Sequence, residues 1–461
     1  MSQHCSRRSL RQQRQIGNHL KQVDANHFFN LLTSPRLLEQ VEAHLPEHRE
    51  RKFTPTVTLA MFLGQVMSAD GSCQSAVDEA LVRRLLSGLK PGSASTSAYC
   101  QARGRLPETM LSTLARGTAA LLQQSTARGW LWRGRHVKLV DGTTASMADT
   151  VENQASFPQP SQQVAGAGFP LARLVGVISL AHGAVLDVAM AAYQGKGTGE
   201  HALFRRLIDC FVAGDVMLAD GYYCSYFLIA EMQRRAVDVL FEQHAARVSD
   251  FRRGERLGVR DHRVSWPKPP RPEWMSLTDY RAYADEITVR EVKVGKKVLV
   301  TTMLNARQVS KGELGELFWQ RWNVELDLRN IKSTLGMERL RCKTPSMVAK
   351  ELWAYLLAYN LIRLLMAEAA SQARVLPRQL SFKHTLQMWV AWSARQFLSE
   401  ASEDTTGLFI LIAQLRVGNR PGRCEPRMLK RRQKQYTLLG APRWKAKRRI
   451  ARRGHAKKLR A

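Results

Sequence analysis

Between Lys311 and Met337 the chain sets one carboxylate between cations at helical spacing. The stretch KGELGELFWQRWNVELDLRNIKSTLGM has no proline, and no glycine between Gly315 and Gly336. Its Leu, Glu, Arg and Lys content predicts a helix of about five to six turns, closed by a glycine. At about 100° per residue, Leu317, Val324, Leu328, Ile331 and Leu335 share an apolar face. Phe318, Arg321, Glu325 and Lys332 lie together on the neighbouring face. A carboxylate there offers oxygen to a hard cation such as Mg2+, and the flanking cations suit phosphate. The same stripe also fits a solvated face, in which Glu325 pairs with Arg321 and Arg329 at i−4 and i+4.

Two further carboxylates stand where strands are expected to end. HVKLVDGTT (136–144) is a short β-rich run ending at Asp141-Gly142, and DVMLADGYY ends at Asp220-Gly221. A lone Asp-Gly is weak, because most mark turns. Between the two, ARLVGVISL and AVLDVAMAAYQ form a hairpin around Ala181-His182-Gly183, and GEHALFRRLIDCFVAG forms a helix. SYFLIAEMQRRA then reads as a helix and VDVLFEQ as a strand. The order strand, hairpin, helix, strand, helix, strand is that of an RNase H-like α/β fold with a mixed central sheet. Both aspartates then lie at the carboxyl ends of adjacent strands, the edge where open α/β sheets place ligands.

Arg321-x3-Glu325-x6-Lys332, with an aromatic three residues before the arginine, resembles the signature of the DDE transposases of the insertion-sequence-four family. The family carries Tyr-x2-Arg-x3-Glu-x6-Lys on a helix; Phe318 stands at the tyrosine position and departs from it. GEHALF…DVMLADGYY resembles the family's second-aspartate region, Ala98–Arg103 with Leu106-Pro107 its N-terminal part, and RPGRCEPRMLKRRQK its C-terminal end. The resemblance implies that Asp141, Asp220 and Glu325 are the catalytic, metal-binding carboxylates. Two Mg2+ (or Mn2+) ions would serve phosphoryl transfer, with Asp141 bridging them and Asp220 and Glu325 each holding one. Phe318, Arg321 and Lys332, with Arg431, Arg432 and Lys434 of the tail, would contact DNA.

Seventy Lys and Arg against thirty-nine Asp and Glu leave a charge of +31, which argues for a polyanionic partner. No run of 18 apolar residues suggests a membrane span, and the N-terminus lacks the apolar core of a signal peptide. The seven cysteines are scattered without C-x2-C spacing and read as reduced thiols. No G-x4-G-K-[ST] loop is present, so no nucleotide cofactor is implied. A cytoplasmic, nucleoid-associated protein is expected.

The domains expected are a helical N-terminal DNA-end-binding region (1–125) and an RNase H-like catalytic core in two parts (126–242 and 305–400). A β-rich insertion (243–304) separates the two parts, and a basic DNA-contacting tail (401–461) follows. The insertion's first stretch, ARVSDFRRGERLGVRDHRVSWPKPPRPEWMSL, reads as loop; ITVREVKVGKKVLVTTML reads as strands with a turn at Gly295. From Arg423 onward sixteen Lys or Arg face one acid, Glu425, so the tail is expected to be disordered or docked on DNA. Asp149 and Glu152 read as solvated, Glu200 as a helix-start residue, and His182 and His201 as structural. A transposase acting on its own element ends and on target DNA, as a homodimer on those ends, is the leading reading. The alternatives are a metal-dependent nuclease without strand transfer and a catalytically dead DNA-binding regulator.

Overall fold

The computed structural model describes residues 53–86, 88–395, 406–417 and 440–454. Arg431, Arg432 and Lys434, expected to contact DNA, lie outside them. Among the described residues four helices come first: α1 (Pro55–Met67), α2 (Cys73–Leu86), α3 (Ser97–Arg105) and α4 (Glu108–Gln124). Thr54-Pro55 starts α1, with Thr54 accepting the Val57 N–H at 3.3 Å and Pro55 in the first turn. Leu106-Pro107 separates α3 from α4, because proline cannot continue the preceding helix.

The sheet strands are β1 (Val137–Met147), β2 (Leu171–Ser179), β3 (Val185–Ala192), β4 (Val216–Ala219) and β5 (Asp238–Glu242). Short helix α5 (Val151–Ser156) follows β1, α6 (Glu200–Arg205) follows β3, and α7 (Tyr226–Arg234) links β4 to β5. β2 and β3 are the expected hairpin, and β1, β4 and β5 are parallel neighbours. The insertion contributes β6 (Glu255–Gly258), β7 (Asp261–Pro267), helix α8 (Leu277–Ala282), β8 (Glu286–Val294) and β9 (Lys297–Thr301). Because β9 pairs antiparallel with β5, the insertion lengthens the central sheet, in the order β3-β2-β1-β4-β5-β9-β8-β7-β6.

Two expectations about strands need correcting. The stretch read as loop holds the β6–β7 hairpin, closed through Arg260 at φ +52°. Its alternation is borne by His262 and Trp266, both buried, and charged neighbours hide it in the sequence. Nor does β1 end at Asp141. It runs on to Met147 because β2 pairs with it along its length, from Lys138 to Ser146.

The helical run forecast for 311–337 is continuous but not uniform. Helix α9 (Lys311–Trp319) starts in a capping box between Ser310 and Glu313. A 3-10 turn (Gln320–Trp322), helix α10 (Asn323–Arg329) and a π-turn (Asn330–Thr334) follow, and Gly336 at φ +91° ends the run. Leu317, Val324, Ile331 and Leu335 are buried as the spacing requires, each contributing about 1.5–3 kcal/mol. Strand β10 (Arg339–Leu340) then pairs parallel with the far end of β1.

Helix α11 (Pro345–Gln372) is buried on nearly every side. It shares one core with α1, α4, the helical run and one face of the sheet, while α6 and α7 cover the other face. Asn360 on α11 accepts the Val185 N–H and donates to the carbonyls of Val185 and Ala115, all at 2.9 Å, fastening β3 and α4 to it. Helices α12 (Phe382–Arg395) and α13 (Thr406–Gln414) complete that layer. Among the described residues no helix is long and apolar enough to cross a membrane. Beyond Arg423 the described residues hold a helix, α14 (Arg443–Arg453), with no buried residue. Its Ala, Arg and Lys content favours that form over the disorder expected from charge alone.

Candidate active site

Strand β1 has three neighbours, and the interval between two of them makes the site. On its β4 side the pairing stops at Leu139, and on the same chain β10 takes up at Ser146. Residues 140–145 are paired there with neither strand, which opens a window in the sheet. Asp141 lies in this window. Continuing the Leu139–Leu218 register by two residues brings Asp220, just past β4, alongside it.

Asp141 accepts the Gly142 N–H at 2.8 Å, and Asp220 accepts the Tyr222 N–H at 3.0 Å. Burial pushes the Asp141 carboxyl up to about 7; the Gly142 N–H and Arg321 act against this, and the charges of Asp220 and Glu200 add to it. Arg321, in the 3-10 turn, holds Glu325 at 3.3 Å. Lys332, in the π-turn, donates to Thr143 Oγ1 at 3.3 Å, two residues beyond Asp141 on β1. Both cations flanking Glu325 thus sit in non-α turns, which interrupt helices at functional sites more often than elsewhere.

The sequence expected all three carboxylates around one point. Asp141 and Asp220 come together, whereas Glu325 turns to Arg321, the nearest countercharge, one helical turn back. Among the described residues no three His, Cys, Asp or Glu side chains are close-set enough to hold a metal as they stand. The donor set nevertheless fits a hard divalent cation: it is all carboxylate oxygen, it is half-buried, and its like charges already strain one another.

Phe318 needs correcting. At 4 % exposure it lies in the core, with Lys297 Nζ 5.4 Å and the Arg321 guanidinium 6.0 Å from its ring centre, so it presents no face to a base. The apolar ring is buried because it continues the Leu314–Leu317 face of α9. Phe318→Ala should therefore cost about 3–5 kcal/mol in chemical denaturation, through the cavity left under Arg321. A cost below 1 kcal/mol would show that the ring supports nothing.

Several residues near the site carried no clear signal in the sequence. Trp319 and Trp322, either side of Arg321, are exposed at 63 % and 58 %. Glu200 does open α6 as read, but its carboxylate also lies over Gly142. Asp149 and Glu152 are exposed, and His182 is buried and held neutral, its pKa lowered to about 3 by burial and then by Arg378 and Arg363.

The Transposase DDE domain family model matches residues 132–361, a span that includes Asp141, Asp220 and Glu325. The transposase InsG of insertion sequence element IS4 from Escherichia coli K12 is 31 % identical over 319 residues, covering 66 % of this chain and 68 % of that one. This chain belongs to the IS4 family of DDE transposases. As a DDE transposase it is an enzyme of metal-dependent DNA cleavage and strand transfer, with DNA as its partner. A cryo-EM structure of the piggyBac transposase synaptic complex with hairpin DNA aligns over 86 % of each chain, at 9 % identity and a TM-score of 0.44.

Proposed function

We propose that the chain cleaves the ends of its own insertion sequence and joins them to target DNA, with Asp141, Asp220 and Glu325 as the catalytic carboxylates. The observation that carries this reading is the window on β1, where Asp141 and Asp220 stand side by side and Lys332 reaches Thr143. Asp141 and Asp220 supply ligands from the sheet, and Glu325 supplies one from α10 by leaving Arg321. Two bound Mg2+ (or Mn2+) ions would activate the attacking water or 3′-hydroxyl and stabilise the leaving oxygen. Arg321 and Lys332 then hold the phosphates on either side of the scissile bond. Trp319 and Trp322, exposed where Phe318 is buried, stack on bases, worth about 1–3 kcal/mol per base.

The rest of the chain serves recognition in this reading. Residues 1–125 bind the element ends, although α1 and α4 are built into the same core as α11. A homodimer would hold two ends at once, at the nucleoid. The basic tail, including Arg431, Arg432 and Lys434, contacts phosphate. Deleting 423–461 should flatten the fall of log affinity with log salt, since each lost phosphate contact removes about 0.9 from the slope. An unchanged slope would show that the tail does not touch DNA.

Purified protein incubated with Mg2+ and candidate element ends should give joined products in a plasmid target. Cut ends that never join would point instead to a nuclease on the same fold.

A further inference from the structure

An exposed aromatic ring stands two residues after Asp220. In the 3-10 turn Gly221–Tyr223 the Tyr222 side chain is 48 % exposed, while Tyr223 beside it is wholly buried. Local contacts fix this turn. The Asp220 carboxylate caps it by accepting the Tyr222 N–H at 3.0 Å. Gly221 lets it sit against the end of β5, since a Cβ there would lie 3.1 Å from the Gln243 carbonyl oxygen. His201, on α6, donates from Nε2 to the Tyr222 carbonyl at 2.9 Å.

The ring is held as well as the backbone. The His201 imidazole lies 4.8 Å from it at 34°, and the Tyr223 ring meets it edge-on at 5.8 Å and 87°. Aromatic pairs of this kind have preferred geometries and so fix orientation. Folding thus orients a large ring at the catalytic edge and leaves its outer side to solvent. Its neighbours indicate what covers it. Asp220 is an anion, and His201 is kept neutral because burial lowers its pKa. Neither attracts a phosphate, whereas every base has a π-face that can stack on an aromatic.

We propose that Tyr222 contacts the substrate, its ring stacking on a DNA base next to the scissile phosphate, with His201 as the residue that positions it. This rests on Asp141 and Asp220 marking the place of cleavage. Trp319 and Trp322 reach the DNA from the helical run, and Tyr222 reaches it from the sheet edge. A base held there sets the register of its strand, and so which phosphate meets the carboxylates. Stacking tolerates any sequence, so Tyr222 contributes position rather than base choice.

The test is single-turnover cleavage of candidate element ends in Mg2+, on intact DNA and on a series with one abasic site at each position around the cut. Tyr222→Ala should slow cleavage of intact ends about tenfold, the mid-range effect of losing one stacked base. Tyr222→Leu, which keeps apolar volume without a π-face, should be as slow, and urea denaturation checks that both are folded. One abasic position should slow the unsubstituted protein equally, and there Tyr222→Ala should add nothing. Tyr222→Phe should restore most of the rate, since stacking needs the ring and not the hydroxyl. His201→Ala should cause a smaller loss, and none in the Tyr222→Ala background. A wild-type rate in folded Tyr222→Leu, or a loss that is the same at every abasic position, would overturn the proposal. So would Tyr222→Phe as slow as Tyr222→Ala, which would assign the contact to the hydroxyl. Asp220→Asn separates this from the reading beneath it. Cleavage lost in Asp220→Asn but normal in Tyr222→Ala and Tyr222→Leu overturns the stacking alone, whereas normal cleavage in Asp220→Asn overturns the site.

Discussion

Asp141→Ala and Asp220→Ala should each lower DNA strand cleavage at least a hundredfold while leaving DNA binding intact. In the proposed site each would remove an oxygen ligand beside β1 and β4, and a metal's stabilisation of phosphoryl transfer depends on its ligands. Recognition is spread over many of the seventy cations, so binding is insensitive to one carboxylate. Affinity should rise slightly, because a negative charge facing phosphate is gone. The fold should also survive: Asp141 is half-buried against Asp220 and Glu200, and like charges so placed weaken the apoprotein. Asp149→Ala, at an exposed acid hydrogen-bonded to Gln154, should match wild type in both gel-shift and cleavage assays. Joint loss of binding and cleavage in Asp141→Ala and Asp220→Ala would mean that these residues serve recognition or folding.

The second large effect lies behind the site. Asp327 on α10, two residues after Glu325, is 1 % exposed and is gripped by Arg363 of α11 and by Arg378, the latter at 2.9 Å and 3.2 Å. Arg363 also donates to the Tyr359 hydroxyl at 2.8 Å, which in turn donates to the Gly183 carbonyl at 2.9 Å. This network fixes the helical run to α11 and to the β2–β3 turn, so it sets where Glu325 can reach. Asp327→Ala would leave two guanidiniums facing a void, and breaking a buried pair in this way costs about 3–5 kcal/mol. Urea denaturation should show that loss at an unchanged slope. A loss under 1 kcal/mol would mean that Glu325 is positioned by the apolar face alone.

The parts of the fold that the sequence made legible were those where period and order agree. The β-runs before Asp141 and Asp220, separated by a hairpin and a helix, could only become neighbouring parallel strands under the usual connection rules. The helical run was legible because its apolar positions held phase through the 3-10 and π turns, although those turns themselves left no mark. Asp327 did leave one: it falls on the apolar face, between Val324 and Ile331, where a charge requires buried partners. Glu200 left none, since a glutamate opening a helix is already explained by the helix dipole. Gly142 masked its own role, because Asp-Gly ordinarily marks a turn, and here it marks a close approach inside a strand. The extension of β1 past Asp141 depends on β2 and β10, partners distant in sequence that local composition does not reveal.

Glu325 decides the matter most directly, because it is the one carboxylate that must leave an observed partner, Arg321, to act. The measurement is single-turnover cleavage of an element end by Glu325→Ala in Mg2+, beside wild type and Arg321→Ala, with binding checked on the same DNA. Cleavage in Glu325→Ala should fall at least a hundredfold with affinity preserved. Cleavage at the wild-type rate would contradict the assignment and leave α10 an ordinary amphipathic helix.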